Sequence, residues 1–179
     1  MKEIEIKAYL KNKSAVLKKL AELGCELSEP VIQTDTVFAK VVAPYADYLK
    51  NEYFIRIREK NDGTFLFTVK MQMSTELTKT EYETKIDNGN AMMQALVAMG
   101  YQQANRLKKI RQIAHYGDFE ICIDAIEGLG EFIEIEKMSN DDENTVRSEL
   151  ETFLYALGVS PEDETKKGYD MLVMEQLAH

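Results

Sequence analysis

The sequence is poor in the residues that carry most covalent and zinc chemistry. Among 179 residues it has two cysteines and two histidines. Cys25 and Cys122 lie far apart and outside any CxxC spacing, so both are predicted to be buried small hydrophobes rather than a disulfide or a metal pair. His115 falls in a predicted strand and His179 is the last residue. Neither a Ser-His-Asp triad nor a His-rich zinc site is therefore supported.

Several longer signals are also absent from the sequence. No apolar run approaches the roughly 20 residues of a transmembrane helix. The start at Met1-Lys2-Glu3 leads into alternating residues rather than into the apolar core of a signal peptide. The sequence has no GxxxxGKS/T loop, which excludes a P-loop enzyme. We therefore expect a cytoplasmic protein with a single domain over residues 1–179, long enough to bury a core.

The charge balance is acidic, with 22 Lys and Arg against 31 Asp and Glu and a formal net charge of -9. This balance argues against binding to nucleic acid or to an anionic membrane through bulk charge. An anionic small ligand is still compatible with it, because such a ligand needs only a local cationic pocket.

Alternating apolar and polar residues predict a fold dominated by strands. Asn61-Asp62-Gly63 and Tyr116-Gly117-Asp118 are hairpin signals, so the strands that each joins are antiparallel. Apolar residues at helical spacing, with capping residues at the ends, predict four helices. The expected fold class is α+β, with strands at about 2–10, 32–43, 52–60, 64–73, 79–87, 105–116, 118–126 and 131–137 and helices at about 13–23, 88–99, 141–157 and 161–177.

Almost every predicted strand has one apolar face and one face of fixed charge. In the first strand, Glu3, Glu5 and Lys7 alternate with Ile4 and Ile6. Two architectures explain this pattern: a sheet that shows its charges to water, or a barrel with a charged interior whose apolar faces lie outward under helices. The other charged faces carry Arg56 and Arg58, Thr68 and Lys70, Lys79 with Glu81, Glu83 and Lys85, Lys109 and Arg111, Glu120 with Cys122 and Asp124, and Glu134 and Glu136.

Like charges are grouped by strand, and this grouping helps to distinguish the two architectures. A solvated strand face normally mixes Thr, Ser, Gln and Asn with scattered charges. Like charges two residues apart on one face lie about 7 Å apart and repel, unless a ligand or a metal offsets the repulsion. Arg forks and Lys point charges suit phosphate oxygens, and carboxylates suit Mg²⁺ or Mn²⁺. The pattern therefore favours a site for a polyanion and a metal over a solvated charged sheet.

The order of these motifs resembles that of the CYTH superfamily, also called triphosphate tunnel metalloenzymes. Glu3-x-Glu5-x-Lys7 resembles the ExExK signature of that family. The block from Asp124 to Glu136, which contains Gly128-Leu129-Gly130, and the segment Gly168-Tyr169-Asp170-Met171-Leu172 look most like the CyaB-type branch, the class IV adenylyl cyclases. The other matching segments are Ile55-Arg56-Ile57-Arg58, Thr68-Val69-Lys70, Thr78-Lys79-Thr80-Glu81-Tyr82-Glu83 and Lys109-Ile110-Arg111.

The resemblance implies the fold and the site of that family. The fold is an eight-stranded antiparallel barrel that forms a hydrophilic tunnel flanked by helices, wide enough for one small ligand. The implied catalytic residues are Lys7, near the reacting phosphorus, and Asp124, which could also join the metal ligands. Lys79 stands where the family usually has Arg. The lysine keeps the positive charge but cannot form the paired hydrogen bonds of a guanidinium. The implied triphosphate contacts are Arg56, Arg58, Lys70, Lys79, Lys109 and Arg111, the implied ligands of Mg²⁺ or Mn²⁺ are Glu3, Glu5, Glu134 and Glu136, and Glu81 and Glu83 would position the basic side chains or hold a second metal.

The resemblance leaves three functions open. The first is a class IV adenylyl cyclase, which converts ATP to cyclic AMP and pyrophosphate. The second is a hydrolase of the inorganic tripolyphosphatase or thiamine triphosphatase type. The third is a non-catalytic protein that binds polyphosphate or nucleotide, against which the retained carboxylates argue. In each case the expected partner is a small triphosphate (ATP, tripolyphosphate or thiamine triphosphate), without nucleic acid or membrane, and the chain could form a homodimer.

Overall fold

A computed structural model describes residues 2–71 and 80–178 of the chain. None of the helices in this described part has the length and apolarity that a membrane crossing requires. The strands are β1 (Lys2–Tyr9), β2 (Val31–Ala39), β3 (Tyr53–Lys60), β4 (Phe65–Met71), β5 (Thr80–Ile86), β6 (Gln102–Tyr116), β7 (Phe119–Ile126) and β8 (Gly130–Ser139). The helices are α1 (Lys13–Glu22), α2 (Tyr45–Tyr48), α3 (Gly89–Ala98), α4 (Glu143–Ala156) and α5 (Tyr169–Leu177), with a 3₁₀ helix at Pro161–Asp163.

The eight strands form one sheet in the order β1-β8-β7-β6-β2-β3-β4-β5. Antiparallel pairing joins β1 to β8, β8 to β7, β2 to β3, β3 to β4 and β4 to β5. The turn between β3 and β4 has Gly63 at φ 80, a left-handed conformation that glycine adopts without strain. The predicted fold class, α+β with eight antiparallel strands and flanking helices, is confirmed.

The chain divides into two compact units, and β6 runs through the boundary between Lys109 and Ile110. The first unit comprises residues 1–31 and 110–166, and the second comprises residues 32–109 and 167–179. The assignment of one domain to residues 1–179 stays a prediction.

The core of the first unit lies between one face of its strands and the helices α1 and α4. Ile4 and Ile6 of β1 belong to this buried cluster, as the alternation in β1 predicts. Asn12 caps α1, because its Oδ1 accepts a hydrogen bond from the Ala15 N–H at 3.2 Å. The rest of the cluster includes Ile121, Ile123, Ile133 and Ile135 from β7 and β8, Val16 and Leu20 from α1, and Val146, Leu150 and Leu154 from α4.

The second unit buries apolar residues on both faces of its strands. On one face, Ile55 and Ile57 of β3 pack with Leu96 of α3. The start of α3 lies very close to β4, because a Cβ atom at Gly89 would come within 2.2 Å of the Phe65 ring. On the opposite face, a second cluster joins β2 and β3 to α2 and α5 through Val37, Ala39, Tyr48, Phe54 and Met174.

The prediction of a single helix over 161–177 is wrong. The structure has the 3₁₀ helix and α5 there, with extended residues between them. Glu164 forms a β-bridge with Ala8, and the Thr165 N–H donates a hydrogen bond to the Lys7 carbonyl at 2.9 Å. Extended backbone prevails over helix at this point because it satisfies polar groups on the edge of β1.

The predicted second strand over 32–43 is too long. β2 ends at Ala39, and the short helix α2, which was not predicted, follows Pro44. Tyr48 of α2 is fully buried and tilts against the Phe54 ring, with centroids 4.9 Å apart. Burial of this aromatic pair draws the segment into a helical turn instead of a longer strand.

Candidate active site

The charged faces in the first unit are largely withdrawn from solvent. Because Ile4 and Ile6 point into the helical core, Glu5 and Lys7 lie on the opposite face of β1. Lys7 is only 6% exposed, and Asp124 is completely buried. Buried charges on this face exclude the first of the two architectures, a sheet that shows all its charges to water.

Carboxylates from three neighbouring strands gather in the first unit. Glu5 pairs with Glu136 across the β1–β8 ladder, and Glu120 pairs with the same Glu136 across the β7–β8 ladder. Oxygen atoms of Glu3, Glu5 and Glu136 lie within 4.8 Å of one another, and the same holds for Glu120, Glu136 and the Cys122 sulfur. Three of the four predicted metal ligands are therefore adjacent.

The position of Glu136 is electrostatically unfavourable for a bare carboxylate. Burial, the negative charge of Glu3 and the Glu120 carboxyl together raise the pKa of Glu136 to about 8. A divalent cation would offset this repulsion, and the carboxylate oxygens are ligands that suit Mg²⁺ or Mn²⁺. The donor set therefore fits such a metal.

The fourth predicted metal ligand, Glu134, lies between two cations. Lys7 Nζ is 3.0 Å from Glu134 Oε1, and the Arg111 guanidinium forms an ion pair with the other oxygen of Glu134. Arg111 also donates through Nε and Nη2 to the two oxygens of Asp124, at 2.8 and 2.5 Å. Burial by itself would lower the pKa of Arg111, but Glu134 and Asp124 raise it well above its ordinary value.

In the second unit, Arg58 is held by a carboxylate that was not among the predicted site residues. Arg58 donates through Nε and Nη2 to the two oxygens of Asp35, each at 2.7 Å, and both side chains are buried. Burial by itself would raise the pKa of Asp35. The hydrogen bonds and charge of Arg58, with the charges of Arg56 and Lys109, instead hold that pKa well below its usual range.

Arg56 and Lys70 are paired with acids on β5. The Arg56 Nη2 donates to Thr68 Oγ1 at 3.1 Å and to Glu83 Oε2 at 3.2 Å. The Lys70 Nζ donates to Glu81 Oε1 at 2.6 Å. Strand register produces these contacts, since Thr68 faces Arg56 on one side and Glu83 on the other, and Lys70 faces Glu81. The predicted contact residue Lys79 lies outside the described residues.

Two polar groups of this region stand out by their burial. Lys109 is only 2% exposed, and its Nζ lies 5.2 Å from the centroid of the Tyr169 ring. The Arg56 Nε is buried without a hydrogen-bond partner among the described residues. A buried cationic donor without an acceptor is unfavourable in the free protein, so it favours the binding of an anion.

Three neighbours of the site are not among the predicted site residues: Asp35, Glu120 and Tyr169. Asp35 carries a detectable signal, because it is the one charged residue of β2. Glu120 also shares a predicted charged face with Asp124. Tyr169 lies in the segment Gly168-Tyr169-Asp170-Met171-Leu172 that resembles the CyaB-type branch, but its contact with Lys109 depends on how α5 packs.

Cys25 and Cys122 are both free and buried, as predicted. Cys122 lies among the charges of the first unit, 3.8 Å from Glu120 Oε1. Burial raises the pKa of the Cys122 thiol, and nearby carboxylates add to that effect. The thiol is therefore neutral and unreactive in the free protein.

Comparisons with known proteins identify the family of this chain. A model of the CYTH domain matches residues 1–169. A protein of Methanocaldococcus jannaschii named "Putative adenylate cyclase" is 32% identical over 173 residues, covering 94% of this chain and 97% of that protein.

Solved structures share the fold at lower identity. A Vibrio parahaemolyticus protein described as a "putative adenylate cyclase" superposes with a TM-score of 0.78 at 24% identity, covering 97% of this chain and 98% of that one. A Hippeastrum "putative adenylyl cyclase", reported to have a dominant triphosphatase activity, superposes with a TM-score of 0.64 at 16% identity, covering 100% and 97%. The family model and the archaeal relative extend over nearly the whole chain, and the chain therefore belongs to the CYTH domain family.

Proposed function

We propose that this protein is a metal-dependent enzyme that acts on a triphosphate, and more specifically a class IV adenylyl cyclase that converts ATP to cyclic AMP and pyrophosphate. The name of the 32%-identical archaeal relative supports the cyclase assignment. The observation that carries the proposal is the set of buried bases in the second unit. Arg56 has a buried donor without an acceptor in the part of the chain that the structure describes, and Arg58 and Lys109 are nearly inaccessible to bulk water.

The buried bases would bind the phosphate oxygens. Guanidinium forks recognise phosphate through two parallel hydrogen bonds, and such charge-assisted bonds are the strong ones. Arg58 holds Asp35 in this way in the free protein, so its guanidinium is already oriented. Lys70 and Lys109 would add point charges to the same substrate group.

The acids of the first unit would hold the divalent metal. Glu3, Glu5 and Glu136 form the clustered set, and Glu120 and Glu134 stand next to Glu136 across β7 and along β8. When bound, Mg²⁺ or Mn²⁺ would supply Lewis-acid chemistry that lowers the pKa of the attacking hydroxyl and neutralises phosphate charge.

The residues of the first unit would then act on the reacting atoms. The 3′-hydroxyl of ATP loses its proton and its oxygen bonds to the α-phosphorus, while the bond from that phosphorus to the bridging oxygen breaks and pyrophosphate leaves. Lys7 would stabilise the negative charge that develops on the α-phosphate. A phosphate of the substrate would replace Asp124 as the acceptor of the two hydrogen bonds from Arg111. Asp124 would then accept the proton of the 3′-hydroxyl.

A hydrolase is the second candidate. The Hippeastrum protein, which shares the fold, is reported to act mainly as a triphosphatase. The same bases and acids would serve a water attacking the terminal phosphorus if the substrate were bound one or two phosphates further along.

One assay distinguishes the candidates. The protein is incubated with ATP and Mg²⁺ or Mn²⁺, and cyclic AMP, pyrophosphate and phosphate are followed. Cyclic AMP with stoichiometric pyrophosphate supports the cyclase. Phosphate release from ATP, tripolyphosphate or thiamine triphosphate supports the hydrolase. Tight binding without any product would contradict both and leave a non-catalytic binding protein.

Replacing Arg56 by alanine is expected to weaken the binding of tripolyphosphate by about 1.5–3 kcal/mol, or roughly 10- to 150-fold in Kd. The variant loses the guanidinium whose Nε is buried and has no acceptor among the residues that the structure describes. Calorimetric titration at fixed ionic strength measures the effect. Arg106→Ala is the matched control, because Arg106 is an exposed arginine of the same unit and its loss changes the net charge equally. Equal effects of the two substitutions would count against a phosphate contact at Arg56.

A further inference from the structure

Asn105 of β6 is a buried amide whose oxygen finds no hydrogen-bond donor within residues 2–71 and 80–178. Its side chain is only 5% exposed, and its Nδ2 donates to the Asp170 carbonyl oxygen at 3.2 Å. The Oδ1 atom is buried and has no hydrogen-bond partner among the described residues. An unsatisfied buried acceptor destabilises the free protein, so its presence points to a donor that arrives with a ligand.

The orientation of this amide follows from its neighbour. The Asp170 carbonyl can only accept a hydrogen bond, so Nδ2 must face it, and the reversed amide would place two acceptors together. Asp170 is fixed in turn, because the hydroxyl of the buried Tyr48 donates to Asp170 Oδ2 at 2.8 Å. The unpaired Oδ1 is therefore a consequence of a held geometry rather than of a freely rotating side chain.

The strand face that carries Asn105 also carries a buried cation. Asn105, Leu107 and Lys109 lie on one face of β6, and all three are buried. Four residues of extended chain separate Asn105 from Lys109 by about 13 Å, with apolar Leu107 between them. Along this face, Lys109 would lie near the phosphate chain of a nucleoside triphosphate, Leu107 near its sugar and Asn105 near its hydrogen-bonding base.

The neighbouring strands show the same change from charged to apolar along one face. Val37 follows Asp35 by two residues on β2, and Phe54 precedes Arg56 by two residues on β3. Val37 and Phe54 belong to the buried cluster that includes Met174 and borders Met171 of α5. Methionine side chains are unbranched and adaptable, so this apolar end can rearrange around an aromatic ring.

We propose that Asn105 is a specificity-determining residue, whose Oδ1 accepts a hydrogen bond from a donor on the organic group of the substrate. The donor that fits is the exocyclic amine of a nucleobase, and the residue would distinguish an amine-bearing nucleoside triphosphate from one with a carbonyl at that position. This inference rests on the proposed function, since it requires that the bases of the second unit bind a triphosphate.

The test compares three substrates and two variants. Wild-type protein, Asn105→Leu and Gln103→Leu are each assayed for binding and turnover with ATP, with inosine triphosphate and with inorganic tripolyphosphate. Inosine triphosphate has a carbonyl in place of the amine. We expect wild type to prefer ATP to inosine triphosphate at least tenfold in kcat/KM, because a carbonyl would face the Oδ1 acceptor. In Asn105→Leu, kcat/KM for ATP should fall about 10- to 100-fold, and the preference should disappear. Tripolyphosphate, which has no organic group, should bind to this variant as it does to wild type.

Gln103→Leu is the matched control, because Gln103 is an exposed amide of the same strand. It removes an amide without touching the group that holds Asn105, so it should retain the preference for ATP. A wild type that binds triphosphates but does not distinguish ATP from inosine triphosphate overturns this inference alone, even if Asn105→Leu does not fold. Equal weakening of ATP and tripolyphosphate binding in Asn105→Leu would also overturn this inference alone. A wild type that binds none of the three overturns the proposed function together with this inference.

Discussion

Replacing Asp35 by alanine is expected to lower the free energy of unfolding by about 3–5 kcal/mol, the range measured when one partner of a buried ion pair is removed. Asp35 accepts two hydrogen bonds from Arg58 at 2.7 Å, and Arg56 and Lys109 are close enough to depress its pKa. Without this carboxylate, a cluster of buried cations loses its counter-charge. Urea denaturation at pH 7 measures the change.

A double variant separates charge from volume. Asp35→Ala combined with Arg58→Met should recover much of the lost stability, because buried ion pairs are often replaced by apolar residues at little net loss. Asp47→Ala is the matched control, since Asp47 pairs with Lys50 at the surface and exposed pairs contribute about 0–1 kcal/mol. If Asp35→Ala is no more destabilising than Asp47→Ala, Arg58 does not depend on its buried partner.

The contribution of Asp35 also has a defined dependence on pH. Its folded-state pKa lies below the unfolded value of about 3.9, so its contribution is fully present above that value and is lost as the pH falls toward the folded-state pKa. The stability difference between wild type and Asp35→Ala should therefore shrink by about 1 kcal/mol between pH 5 and pH 3. A constant difference over this range would be inconsistent with a depressed pKa.

Local signals were sufficient to predict the strands but not their partners. Alternation and tight turns predict eight strands, because the period of two and the turn residues are encoded within short segments. The register that sets Glu5 opposite Glu136 joins the first strand to the last, and no local pattern encodes it. The grouping of like charges by strand favours a shared site, and the resemblance to a known family adds the barrel that would bring the first and last strands together.

Tertiary contacts explain why the sequence missed Asp35 and why the helix predicted over 161–177 was wrong. Asp35 is a single charged residue of β2 whose partner is not evident in the sequence, because the pairing of β2 with β3 is what places Arg58 beside it. The helix expected over 161–177 is interrupted where Glu164 pairs with the edge of β1, a contact between residues far apart in sequence. In both cases a distant strand determines what a local segment does, and propensity is overridden.

Replacing Glu136 by glutamine is expected to lower kcat/KM by at least about 100-fold at saturating Mg²⁺ or Mn²⁺, because the neutral amide loses the charge that a divalent cation requires. Glu136 is the residue shared by both clusters of ligand atoms in the first unit, so one substitution weakens both. Turnover and metal affinity should fall together, with the activation curve shifted to higher metal concentration. Glu127→Gln, an exposed glutamate in the turn between β7 and β8, should leave both unchanged.

The same substitution should affect stability in the opposite direction, which makes the prediction specific to a metal role. In the metal-free protein, burial and the neighbouring acids Glu3 and Glu120 raise the pKa of Glu136 to about 8, so at pH 7 folding requires this carboxyl to bind a proton, and that uptake destabilises the folded state. Glu136→Gln removes this cost while preserving the side-chain volume, so the metal-free variant should be at least as stable as wild type at pH 7 by thermal denaturation. Adding Mg²⁺ or Mn²⁺ should raise the Tm of wild type more than that of the variant, because only wild type keeps the complete ligand set. A variant that is both inactive and less stable would instead make Glu136 a structural residue, and equal stabilisation by metal in the two proteins would place the cation elsewhere.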